Sequence, residues 1–167
     1  MVCFSLGSNM GNKLANLSDA LFMLAGTMGT PISVSSVYET EPWGVEHHDY
    51  YLNIAASFET ILSPEKVFQL ISVTEKKLGR TRSKNTVEPR TIDVDLLFYN
   101  NIILKTQKLT IPHPRIPCRK FVLVPLSEIM ENFSHPESGI TIKELLLQCP
   151  DNCSVLKTDL KLFMHDV

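Results

Sequence analysis

The chain has 167 residues, 44% of them hydrophobic and 20% charged, with 7 glycines and 10 prolines. This balance suits a single globular domain, expected over residues 1–167, and excludes a disordered chain. The formal net charge of -2 gives no overall attraction to nucleic acid or acidic membranes, so neither is expected as a partner and any anion chemistry must come from local clustering. Cys3, Cys118, Cys149 and Cys153 are too sparse for a disulfide scaffold and lack the histidines of a zinc finger, so free thiols in a reducing cytoplasm are expected. The N-terminus "MVCFSLGSN" lacks a signal peptide's basic flank, and no apolar run reaches the roughly 18 residues of a membrane helix. A cytoplasmic location is the expectation.

In chain order, "VCFSL" reads as a first strand that ends in the turn "GSNMGN". That turn lacks the Gly-Lys-Ser/Thr ending of a P-loop and is expected to cap the next helix. Leu14, Leu17, Leu21, Leu24 and Met28 follow at three- and four-residue steps, the spacing of an amphipathic helix. "PISVSSVYETEP" and "YYLNIAASFET" alternate as two strands of a hairpin pair, joined by the polar turn "GVEHHD", where His47 and His48 are expected to be exposed. "SPEKVFQLISVTEKKLG" predicts a second helix, with Ser63 as N-cap, Pro64 at the first helical position and Gly79 as the stop. The strand "TIDVDLLFY" comes next, then "LTIPHP", then "RKFVLVPLSEIM" as a short strand or turn leading into a helical turn, and "TIKELLLQC" as a last helix. The order β-α-β-β-α-β is that of an α+β ferredoxin-like sandwich with added C-terminal elements. Its helices would cover one face of an antiparallel sheet and leave the other to carry a site.

Asp93 and Asp95 stand out in that late strand. Side chains two residues apart on a strand point the same way, so the two carboxylates would share a face about 6–7 Å apart, with Ile92, Val94, Leu96 and Phe98 turned to the core. A solvated strand face explains one aspartate more easily than two, because like charges this close repel unless a cation holds them. Mg²⁺ suits the pair, since it takes hard oxygen ligands and is often held by one or two carboxylates with substrate phosphates. Phosphate binders lie nearby in "GRTRSKNTVEPR", with Arg80, Arg82, Lys84 and Arg90, and in "HPRIPCRK", with His113, Arg115, Arg119 and Lys120. Arginine forks match phosphate oxygens in pairs, although a solubilising basic loop has the same composition. Tyr38, Trp43, Tyr51 and Phe121 are either core aromatics or, beside Thr40 and Asn53, walls for a flat heterocycle hydrogen-bonded at its edge.

Six blocks in order, "YETEPWG", "YYLNIA", "EKKLGRTR", "PRTIDVDLLFY", "LTIPHPR" and "RKFVLVPL", together resemble the 6-hydroxymethyl-7,8-dihydropterin pyrophosphokinases of folate biosynthesis, from "SLGSN" to about residue 130. The resemblance implies transfer of pyrophosphate from ATP to the pterin hydroxymethyl oxygen with release of AMP. Asp93 and Asp95 would hold Mg²⁺, two ions in that scheme, and Arg80 and Arg90 would be the catalytic arginines. Glu75, Arg82, Lys108, Thr110, His113 and Arg119 match positions at the ATP, and Thr40, Pro42, Trp43, Tyr51, Asn53 and Phe121 match positions at the pterin. The implied partners are these small molecules. The loops at 43–49 and 80–90 would close over them. This sequence departs from the family in carrying Val87 and Glu88 where Trp-Gly is common, Ser72 where some members have a glutamine, and His48 where a glutamine often sits.

Two other readings compete. Another metal-dependent phosphate enzyme, a nuclease or a glycosyltransferase with Asp-x-Asp, accounts for the carboxylates and arginines but not for Thr40, Asn53, Tyr51 and Phe121. An RNA-binding ferredoxin-like module would stack bases on sheet aromatics, but the sequence lacks its Lys/Arg-Gly-Phe/Tyr motif, and paired aspartates repel RNA.

Overall fold

The computed structural model describes residues 1–42, 49–80 and 89–163. Strand β1 (Val2–Ser8) is buried at every position, the behaviour of a central strand covered on both faces. Helix α1 (Lys13–Met28) starts where the Asn12 side chain accepts the Ala15 amide, and it buries Leu17, Ala20, Leu21 and Leu24 as one stripe. It ends at Gly29, whose φ of 88° suits a residue without a Cβ.

The strand expected over 31–42 is divided in two. β2 (Ser33–Val34) and β3 (Tyr38–Thr40) both pair antiparallel with β4 (Tyr51–Phe58). Between them Ser35 carries the ladder: its amide donates to the Ala55 carbonyl, and its hydroxyl accepts the Ala55 amide, each at 2.9 Å. Helix α2 (Pro64–Lys77) opens as the sequence predicts, with Ser63 accepting the Lys66 amide and Pro64 in the first turn.

After α2 come β5 (Asp93–Tyr99), the small hairpin of β6 (Leu104–Lys105) and β7 (Thr110–Ile111), α3 (Lys120–Met130), α4 (Ile142–Gln148) and β8 (Val155–Lys157). The main sheet runs β5-β1-β4-β3-β8, with β2 also on β4, and its neighbours are antiparallel. This is the ferredoxin-like arrangement, with β8 added at one edge.

Three expectations change. "RKFVLVPL" forms the first two turns of α3 rather than a strand or turn, although Pro125 lies inside the helix. Val122, Leu123 and Leu126 gain more by packing at helical spacing than the local β preference and the proline cost. The second sheet face is also only partly free. α1 and α2 cover one face over Phe4, Leu6, Ile54, Phe58, Val94 and Leu96, whereas α3 and α4 cover the other over Cys3, Ala55, Leu97 and Phe98. Phe98 was expected on the first face. Cys3 pairs with Phe98 while Phe4 pairs with Leu96, so Leu97 is an extra residue in a bulge that reverses the alternation. What α3 and α4 leave open on that face is the end carrying Gly7, Asn53, Asp93 and Asp95. All four cysteines are free.

One carboxylate ties α3 to the sheet edge. Glu128 accepts the Ser36 amide and hydroxyl, the Tyr38 hydroxyl and the Lys157 ammonium at 2.8–3.0 Å. Burial alone would raise its pKa, but the hydrogen bonds from Lys157, Ser36 and Tyr38 outweigh that and lower it from 4.5 to about 2. The folded pKa is depressed, so this stabilisation is present above pH 4.5 and lost as the pH falls toward 2. Replacing Glu128 by Gln should cost about 1–2 kcal/mol at pH 7, allowing for partial exposure. Urea unfolding of both proteins across the acid range should show the gap narrowing toward pH 2.

Candidate active site

Three adjacent strands build the floor. The register sets Gly7 of β1 between Asp93 of β5 and Asn53 of β4, and Ser5 beside Asp95. Paired residues share a face, so both carboxylates project to the side that α3 leaves open. Gly7 is required by close approach: a Cβ there would lie 2.5 Å from Asn53 Oδ1, with a Tyr51 ring carbon at 3.9 Å. The room that a side chain would fill is taken by the Asn53 amide.

Each aspartate has cationic company. Arg80 Nη1 lies 2.7 Å from Asp93 Oδ1, and Arg90 Nη1 lies 2.5 Å from Asp93 Oδ2. Asp95 Oδ2 faces Arg119 Nη1 at 3.4 Å and His113 Nε2 at 3.9 Å. Desolvation raises the Asp95 pKa above the ordinary carboxylate value, and the neighbouring Asp93 charge adds to it. Burial lowers the His113 pKa, so its ring is neutral at pH 7. Its Nδ1 accepts the Arg115 amide at 3.2 Å, which leaves the proton on Nε2, pointing at Asp95.

Two residues hold the arginines. Glu75, expected at the nucleotide, is 3% exposed, and its Oε1 accepts the Val94 amide at 3.0 Å and pairs with Arg80. β5 is an edge strand, so its outward amide needs such a partner. Asn9 grips Arg90 through the backbone in both directions: its amide donates to the Arg90 carbonyl at 3.2 Å, and its Oδ1 accepts the Arg90 amide at 2.7 Å. Sequence reasoning read the turn around Asn9 as a helix cap and missed this contact, because 81 residues separate the partners.

On the other side of Gly7, Asn53 Nδ2 donates to Thr40 Oγ1 at 2.7 Å, and both residues are buried. Tyr51 at the start of β4, Pro42 after β3 and Phe121 in the first turn of α3 are partly exposed around that pair. The Arg119 guanidinium sits 5.5 Å from the Phe121 ring centre. Beyond α2, a cleft of about 830 Å³ is lined by Phe68, Gln69, Ser72, Lys108 and Leu109 among others, and Thr110 begins β7 beside it. The structure therefore brings Arg80, Arg90, Asp93, Asp95, His113 and Arg119 together, with Lys108 and Thr110 toward the cleft. Trp43 and Arg82 lie outside the described residues, as do His47, His48, Val87 and Glu88.

The family model of 7,8-dihydro-6-hydroxymethylpterin-pyrophosphokinase matches residues 3–131, the stretch that holds every one of these side chains. The chain belongs to that family. A relative from Synechocystis sp., named 2-amino-4-hydroxy-6-hydroxymethyldihydropteridine pyrophosphokinase, is 40% identical over 86% of this chain and 73% of its own length. The protein of that name from Bacillus subtilis is 40% identical over 76% of both. The folic acid synthesis protein FOL1 of Dictyostelium discoideum is 35% identical over 93% of this chain, which spans only 23% of that protein. A crystal structure of Plasmodium falciparum HPPK-DHPS superposes with a TM-score of 0.72 at 16% identity, covering 88% of this chain and 42% of that one, a likeness of fold. Like its family, the chain is a pyrophosphokinase, a transferase of folate biosynthesis with ATP as co-substrate. No helix among the described residues is long and apolar enough to cross a membrane.

The charge balance gives a stability test. The folded pKa of Asp95 is raised, so its contribution to stability is greatest below its ordinary pKa of 3.8 and lost as the pH rises through the folded value. At pH 7 Asp95→Asn should unfold at a temperature equal to or above wild type. Glu75→Ala, which leaves the Val94 amide without its partner while Arg80 keeps Asp93, should lose about 1–3 kcal/mol in urea unfolding.

Proposed function

We propose that the chain transfers the terminal pyrophosphoryl group of ATP to the hydroxymethyl oxygen of a reduced pterin, with Mg²⁺ held by Asp93 and Asp95. The observation that carries this reading is the pair of carboxylates on the open sheet face, gripped by arginines and one strand away from the buried Thr40–Asn53 pair. The donors fit the ion: two hard oxygen ligands share a face. Among the described residues no cluster of three or more ligating side chains occurs, so phosphate oxygens and water would complete the shell. Two ions are the expected number. Bound Mg²⁺ would screen the triphosphate and increase the electrophilicity of the β-phosphorus.

This chain's own residues do the positioning. Arg80 and Arg90, which reach Asp93 in this structure, would neutralise the pyrophosphoryl group and the departing AMP oxygen. Glu75 and Asn9 fix where those two arginines sit. His113 and Arg119 hold phosphate oxygens, and the neutral His113 does so by donating from Nε2. Lys108 and Thr110, with the cleft beside α2, receive the rest of the nucleotide. Arg82, outside the described residues, joins them as the sequence suggests. The pterin hydroxyl oxygen forms the new bond to the β-phosphorus as the bond to the bridging α-phosphate oxygen breaks, and its proton passes to water.

On the acceptor side, Asn53 and Thr40 meet the ring edge, Tyr51 and Phe121 stack on its faces, and Pro42 and Trp43 close the wall. One 167-residue unit working in the cytoplasm on small molecules accounts for the reading. With Mg²⁺, ATP and 6-hydroxymethyl-7,8-dihydropterin, AMP should appear one-for-one with the pterin diphosphate, and chelation should stop it. ADP as the nucleotide product would contradict the proposal. Arg90→Ala should lower kcat by about 10²–10³, the usual loss when one preorganised donor to the transition state is removed.

A further inference from the structure

Helix α3 delivers Phe121 and Arg119 to the site, yet no side chain of its own caps its N-terminus. The cap comes from 31 residues further on. Asp151 Oδ2 accepts the Lys120 amide at 2.9 Å, and Asp151 Oδ1 accepts the Cys153 amide at 2.9 Å. A carboxylate there satisfies an amide that the helix cannot use and also faces the positive end of its dipole. Burial pushes the Asp151 carboxyl up, but the hydrogen bonds from Cys153 and Lys120 outweigh it and hold it below the usual carboxylate range, so it is ionised at neutral pH.

The same segment is fastened to the opposite wall. The Ser154 amide donates to Glu41 Oε2 at 3.0 Å, and the Glu41 amide donates to the Ser154 carbonyl at 3.3 Å. β8 then pairs with β3, with Val155 opposite Thr40. Seven residues, 151–157, thus bridge the start of α3, with Phe121, to the end of β3, with Thr40 and Pro42. They lie beyond the stretch that the family model matches.

We propose that this segment is a brace that sets the width of the pterin pocket, with Asp151 as a positioning residue that acts through Phe121. The inference rests on the assignment of Phe121, Thr40 and Asn53 to the pterin. A helix start that loses its cap can shift or fray by a turn, which moves Phe121, and Arg119 beside it, while leaving Asp93, Asp95 and their strands in place.

Steady-state kinetics of the full chain test it, with KM for pterin and for ATP measured separately. Asp151→Ala should raise the pterin KM roughly 5- to 30-fold, the effect of losing a cap, and should add little to the pterin KM of Phe121→Ala, whatever the displaced Arg119 does to the ATP KM. Asp151→Asn keeps one acceptor for two amides and should recover part of the loss. Lys157→Ala removes a side-chain contact to Glu128 and leaves the Asp151 cap, the Glu41–Ser154 bonds and the β3–β8 backbone pairing intact, so it should leave the pterin KM unchanged. If Asp151→Ala does not fold, Asp151→Asn against Lys157→Ala carries the same comparison. An equal rise in Lys157→Ala, or the full rise repeated when Asp151→Ala is added to Phe121→Ala, would overturn the brace in favour of general loosening. Phe121→Ala separates the two readings: if it raises the pterin KM and the Asp151 variants do not, the brace alone falls. If Phe121→Ala leaves the pterin KM unchanged, the pocket assignment falls and the brace with it.

Discussion

Asp93 and Asp95 stand side by side on an edge strand, and two like charges so placed repel unless positive charge is brought to them. Much of the surrounding structure serves that need. Arg80 reaches Asp93 from the end of α2, Arg90 reaches it from the residues just before β5, and Arg119 reaches Asp95 from the start of α3. Each cation is itself held: Arg80 by the buried Glu75, Arg90 by the backbone grip of Asn9, and Arg119 by the helix start that Asp151 caps. The carboxylates thus organise elements that are distant in sequence.

The arrangement also accounts for an oddity of the sheet. A β1 residue between two functional strands would normally carry a side chain, but Gly7 carries none, and Asn53 occupies the room. Asn53 and Asp93 therefore stand on the two strands that flank Gly7, each one strand spacing from it, about 4.8 Å. The proposed transfer, which relies on positioning and charge, asks for rigid supports. Central strands buried on both faces supply the rigidity.

Local patterns carried much of this from the sequence alone. The two-residue spacing put both aspartates on one face, and Ser63, Pro64 and the leucine spacing marked α1 and α2, because these signals act within a turn or a strand. α3 was harder to see, since Val122, Val124 and Pro125 read against a helix and only packing on Cys3, Ala55 and Phe98 decides the matter. Phe98 changed faces through a one-residue bulge that no spacing rule reveals. Glu75, Asn9 and Asp151 owe their roles to partners 19, 81 and 31 residues away. Periodicity does not register contacts at that range.

The central claim is that the Asp93–Asp95 face exchanges its arginine partners for a metal–triphosphate. Electron paramagnetic resonance with Mn²⁺ in place of Mg²⁺ tests it directly, in the presence of a non-hydrolysable ATP analogue and with wild type beside the Asp93→Asn/Asp95→Asn double variant. Protein-bound Mn²⁺ in the wild type, lost in the variant while the fold is kept, is the result this account predicts. Mn²⁺ bound equally by both proteins would place the metal elsewhere and contradict it.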